Sequence, residues 1–97
     1  MVLDCITMMQ ESAIDVAVFL RLVGRRVAEA RDLRDMTQAH LATAAGLRVG
    51  LIVGLESGEF GIEVDQLRRV ADALGVDVRT LLPEYEDVER ATPSAAS

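Results

Sequence analysis

The sequence predicts an all-α fold, and three observations carry that prediction. Glycine, proline and helix-capping residues cut the 97 residues into short segments. Within those segments the apolar positions recur every three or four residues, the period of one helix face. Apolar residues make up 51% of the chain but Phe, Trp and Tyr only 3%, so the core is Ala, Val, Leu and Ile, side chains suited to close packing of small helices. The length fits one small domain. "VLDCITM", residues 2–8, is the ambiguous stretch: a short strand or an unstructured arm.

The first helix is expected from about Ala13 to Arg34, opened by Ser12 with Asp15 three residues later, a capping-box pattern. At about 1.5 Å per residue it reaches about 33 Å. Val16, Leu20, Val23, Val27 and Ala30 form its core stripe. A second stripe, Ile14, Val18 and Leu22, is more than one small core covers and is a candidate dimer contact. Thr37 caps a second helix, Gln38 to Ala45, which Gly46 ends in a left-handed turn. A third runs over about Val49–Glu56 and closes at Gly58. Residues 64–74 are strongly amphipathic, with Val64, Leu67, Val70, Ala71 and Leu74 on one face, and Gly75 ends them. Asp77 caps a last short turn that Pro83 stops. The rest, 84–97, is acidic and then small and polar, and is expected to be a disordered tail.

Net charge is −6, which argues against a nucleic-acid partner, but its distribution weakens the objection. Residues 1–17 and 83–97 each carry −3, and residues 18–82 are neutral with nine arginines against nine acids. All ten basic residues are arginine, which excludes a P-loop lysine or a Schiff base. The Arg pairs at 25–26 and 68–69 fall on exposed helical positions, where solubility is the ordinary role. Enzyme chemistry finds no support. In "GLESG" the serine falls one place late for a nucleophile elbow, and one Cys with one His, 35 residues apart, lacks metal-ligand spacing. No catalytic residue, metal or cofactor is expected. The lone Cys5 fits a reducing cytoplasm, and neither a signal peptide nor an apolar run of the roughly 18 residues a membrane helix needs is present.

Two short helices about Gly46 make a helix-turn-helix candidate. From Val23 to Leu82, through "VGRRVAEAR", "MTQAHLATAAGL", "IVGLESG" and "LRRVADALGVDVRTLL", the chain resembles the lambda-repressor/Cro-type (XRE) helix-turn-helix family. The resemblance implies a five-helix lambda-repressor-like domain over residues 18–83, here with an N-terminally extended first helix supplied by residues 1–17. It also implies helices 2 and 3 as the DNA-reading pair, and a homodimer. Gly46 permits the sharp turn between them, and Leu41, Ala42, Leu47, Ile52 and Leu55 fix their angle. Arg31 and Glu56 stand where the family typically forms a partly buried ion pair. Thr37 and Gln38 stand where helix 2 meets the DNA backbone, with His40 near the same strand.

The outward positions of helix 3, by that resemblance, are Arg48, Val49, Gly50, Leu51, Val53 and Gly54. They normally carry polar side chains that reach base edges. Here only Arg48 is polar, and Val49, Leu51 and Val53 offer contact to thymine methyls. Each glycine costs about 1 kcal/mol against Ala in a helix. Three readings compete: DNA binding with selectivity from DNA shape, burial against a protein, or a drifted recognition helix. The expectation is a cytoplasmic transcriptional regulator that binds double-stranded DNA as a dimer, of repressor, antitoxin or restriction-modification control type. The alternative is a protein-interaction module whose apolar third helix binds a partner such as a toxin or another regulator.

Overall fold

The computed structural model describes residues 2–59 and 61–91, with side chains from Val16 onward, Tyr85 apart. Six helices follow in order: α1 (Val2–Leu33), α2 (Gln38–Ala45), α3 (Val49–Ser57), α4 (Val64–Leu74), α5 (Val78–Leu81) and α6 (Tyr85–Ala91). No strand occurs among the described residues. The first five form the expected domain with its long first helix.

α1 does not start at Ser12. It is continuous from Val2, so "VLDCITM" is neither strand nor arm and Ser12 lies inside the helix and not at its start. No glycine or proline precedes Gly24, so nothing in that stretch breaks a helix. At about 1.5 Å per residue α1 is about 48 Å long. Its far end closes with Asp35 in the left-handed region (φ 53°) and the Met36 N–H donating to Arg31 O at 3.2 Å. Thr37 then caps α2, its Oγ1 accepting from the His40 N–H at 3.0 Å. Gly46 (φ 71°) turns the chain as expected.

The core is a single cluster of Val23, Val27, Leu41, Ala42, Ala45, Ile52, Leu55, Leu67, Val70, Ala71, Leu74 and Leu81. Four expected core members are outside it: Leu20 and Ala30 are half-buried, Ala30 packed against the cluster, and two are exposed. Val16 is exposed, because it lies before the point where α1 meets the other helices, and Val64 is 83% exposed at the first turn of α4. Gly24 holds a place no periodicity marks: a Cβ there would collide with the Leu55 carbonyl oxygen and crowd that of Glu56. The absence of a side chain at this one position lets α1 and α3 cross with backbones in contact.

The same crossing carries an ion pair. Arg31 Nε donates to Glu56 Oε2 at 2.8 Å and Nη2 to Oε1 at 3.1 Å, a two-pronged contact between α1 and α3. Nη1 donates to Met36 O at 2.7 Å, so one guanidinium also holds the loop that leads into α2. Glu56 is 7% exposed and accepts a further bond from Gln38 Nε2 at 3.0 Å. Bonding to Glu56 raises the Arg31 pKa above its already high ordinary value.

The segment after Pro83 differs most from expectation. It is not a disordered tail through 84–91 but a helix docked on α1. Its start is organised by Asp87, whose Oδ2 accepts from the Glu84 N–H at 3.1 Å. Arg26 reaches across to Asp87 Oδ2 at 2.9 Å and donates to Leu82 O at 3.0 Å. Val88 is buried beneath. Residues 92–97 lie outside the described residues. Docking of α6 also corrects the second stripe of α1. Val18 is 2% exposed within the single chain, and Leu22 is half-buried in the cleft it shares with Arg25, Asp87 and Arg90. Val18 is thus covered within its own chain, Leu22 is only partly covered, and the Ile14 side chain lies outside the described ones. Arg26 likewise serves as a bridge and not as a solvated charge.

Three outcomes follow from this packing. In urea denaturation, Gly24→Ala is expected to lower stability by about 2 kcal/mol or more, since the clash is with backbone that cannot swing aside. Arg31→Met is expected to cost about 3 kcal/mol by leaving the Glu56 carboxylate buried without its cation, while Arg31→Met with Glu56→Leu recovers most of that loss. Asp87 is held below the ordinary aspartate range, first by the Glu84 N–H and then by Arg26 and Arg90. A lowered folded value means the stabilisation is complete above the ordinary range and fades as pH falls through the folded value. The Val88 methyl resonances should therefore lose their folded positions as pH falls below the ordinary aspartate range, a step that Asp87→Asn abolishes.

Candidate nucleic-acid interface

α2 and α3 turn through 118° about Gly46, within the range of roughly 90–120° of helix-turn-helix pairs. The turn is locked by its backbone: Gly46 N–H donates to Thr43 O at 3.2 Å and Leu47 N–H to Ala42 O at 2.9 Å. On the inner side Leu41, Ala42, Ile52 and Leu55 are buried, with Leu47 half-buried against them. α3 is thereby set with one face fixed inward.

At 100° per residue its remaining face carries Val49, Gly50, Val53 and Ser57, all exposed. Val49 is 47% and Val53 45% exposed, one helical turn apart. Between them Gly50 is open, with nothing within 4 Å of where a Cβ would stand. Two of the expected outward residues face elsewhere: Leu51 is half-buried and Gly54 is buried. They follow the 3.6-residue turn onto the Ile52/Leu55 side. Ser57, not singled out from the sequence, closes the exposed face, its Oγ donating to Gly54 O at 3.0 Å. Its signal was the register itself, four residues beyond Val53.

Arg48 sits at the start of α3, exposed, and its side chain makes no capping bond. Among the described residues six of the ten arginines are held by carboxylates: Arg26, Arg31, Arg68, Arg69, Arg79 and Arg90. Arg48 is one of the four that are not. Arg21 is another, and its side-chain stem lies against Gly58, where α3 ends. One unpaired guanidinium, that of Arg48, therefore stands at the start of α3, and the stem of a second unpaired arginine, Arg21, lies against its end.

At the α2 end, Thr37 and His40 are exposed, the Thr37 hydroxyl already capping the helix. Gln38 is half-buried, its amide N–H turned back onto Glu56. The side chain that begins α2 is thus positioned by the same carboxylate that joins α1 to α3. Uncapped N–H groups at a helix start suit an anionic oxygen. Among the described residues no cluster of His, Cys, Asp or Glu has the arrangement of a metal site.

The helix-turn-helix family model HTH_3 matches residues 27–81. Among solved structures, the chain is similar to the crystal structure of the restriction-modification controller protein C.AhdI from Aeromonas hydrophila. The two are 28% identical with a TM-score of 0.64, over 65% of this chain and 96% of that one. A comparison with curated proteins finds no match. Fold, turn and matched residues agree: the chain belongs to the XRE-type helix-turn-helix family of DNA-binding transcriptional regulators.

Proposed function

We propose that this chain is a sequence-specific regulator of transcription that binds double-stranded DNA as a homodimer, in a controller or repressor role. The exposed, unpaired Arg48 at the start of α3, with the stem of unpaired Arg21 against its end, is the observation that carries the reading. A helix entering the major groove has phosphates at both of its ends, and cations there hold its position. Thr37, Gln38 and His40 at the start of α2 supply the neighbouring backbone contacts, with free helix N–H groups beside them. The likeness to a restriction-modification controller supports a controller role. A dimer places two copies of α3 in successive major grooves about 34 Å apart. The solvent-exposed Val16, on the part of α1 that runs past the core, supports an N-terminal contact between copies.

Fluorescence anisotropy with duplex DNA tests the reading. Affinity should fall steeply as salt rises, with log K linear in log salt. Arg48→Ala and Arg21→Ala should each weaken binding on every sequence and flatten that slope by about 1. No binding to pooled random duplexes at low salt would overturn it, and a salt-independent apolar complex with a protein would favour the interaction-module reading instead.

A further inference from the structure

The exposed face of α3 contains no side chain that donates to or accepts from a base edge until Ser57, whose hydroxyl proton is already given to Gly54 O. The valines of this face have one feature of the major groove to recognise. Of the groups displayed there, the C5-methyl of thymine is the apolar one. We propose that Val49, Gly50 and Val53 form a methyl-reading surface that selects pyrimidines by their C5-methyl group. The proposal rests on the DNA-binding reading and specifies what that same helix reads.

The geometry supports each part. Val49 and Val53 stand four residues apart, so their methyls lie about 6 Å from each other along one helix edge. That spacing spans neighbouring base-pair steps of about 3.4 Å each. Gly50 lies beside both and projects nothing, so the helix backbone can sink until the two valines touch the groove floor. A larger residue there would hold them off. Leu51 and Gly54 belong to the inward side and take no part. Arg48, exposed one residue before Val49, holds the start of the helix at a phosphate while the valines reach the bases. The expected half-site carries adjacent thymines. A methyl on cytosine C5 occupies the same place in the groove as that of thymine. The surface therefore accepts 5-methylcytosine where it rejects cytosine, which makes operator binding responsive to cytosine methylation.

The test uses the full chain and a duplex selected by it from a randomised library. Thymines of the selected half-site are replaced with deoxyuridine, which deletes the methyl and leaves base pairing intact. The wild-type protein should bind about fourfold more weakly per buried methyl removed. Replacing a thymine–adenine pair by cytosine–guanine should weaken binding, and 5-methylcytosine at that position should restore about fourfold. Val49→Ala and Val53→Ala, at exposed sites that the fold does not need, should each weaken the discrimination between thymine and deoxyuridine duplexes, and the double variant should bind the two alike while keeping the salt dependence of wild type. Equal wild-type affinity for thymine and deoxyuridine duplexes overturns the proposal and leaves DNA binding standing. So does a double variant that discriminates as well as wild type. If no duplex is selected at all, the DNA-binding reading itself has failed.

Discussion

The contact of α1 with α3 at Gly24 and Arg31 is the constraint on which the remaining structure depends. At Gly24 the two backbones touch, which sets how closely the helices approach. Two turns further along, Arg31 grips Glu56 with two bonds and the Met36 carbonyl with a third. The first fixes distance and the second fixes rotation. A buried ion pair contributes little net stability, because desolvation cancels most of the attraction. Its effect here is to allow one arrangement only. Glu56 is on α3, Met36 leads into α2, and Gln38 begins α2, so one carboxylate and one guanidinium register all three helices.

That rigidity explains how α3 can be so unlike a polar recognition helix and still keep its place. Its own sequence contributes little: two glycines, an uncapped start, and two valine side chains that gain nothing from facing water. Stability comes instead from Ile52 and Leu55, fully buried, and from the turn at Gly46. The inward face is conventional and the outward face is free to differ. Charge follows the same division. Carboxylates neutralise the arginines that hold the fold, and the arginines beside α3 are left to the solvent.

α6 shows the opposite relation between local and distant forces. Seven residues form no stable helix alone. This one persists through Val88 beneath it, Asp87 at its start and Arg26 on α1, 61 residues earlier than Asp87. It lies beside Leu22 on the second apolar stripe of α1.

The sequence by itself determined the elements of the domain core and their family. Helix periods, the Thr37 and Asp77 caps and the glycines at 46, 58 and 75 are local signals, and each acts through backbone geometry within one turn. The Arg31–Glu56 pair was legible only through the family resemblance, which supplied a partner 25 residues away. Tertiary structure alone decided which residues of α3 face outward, because Leu51 and Gly54 depend on the exact rotation of a short helix that has little amphipathic contrast of its own. It alone decided that 84–91 folds, that Arg26 is a bridge, and that Gly24 is a crossing point. Each of those depends on what lies across the core, and a linear pattern holds no record of a neighbour that is near only in space.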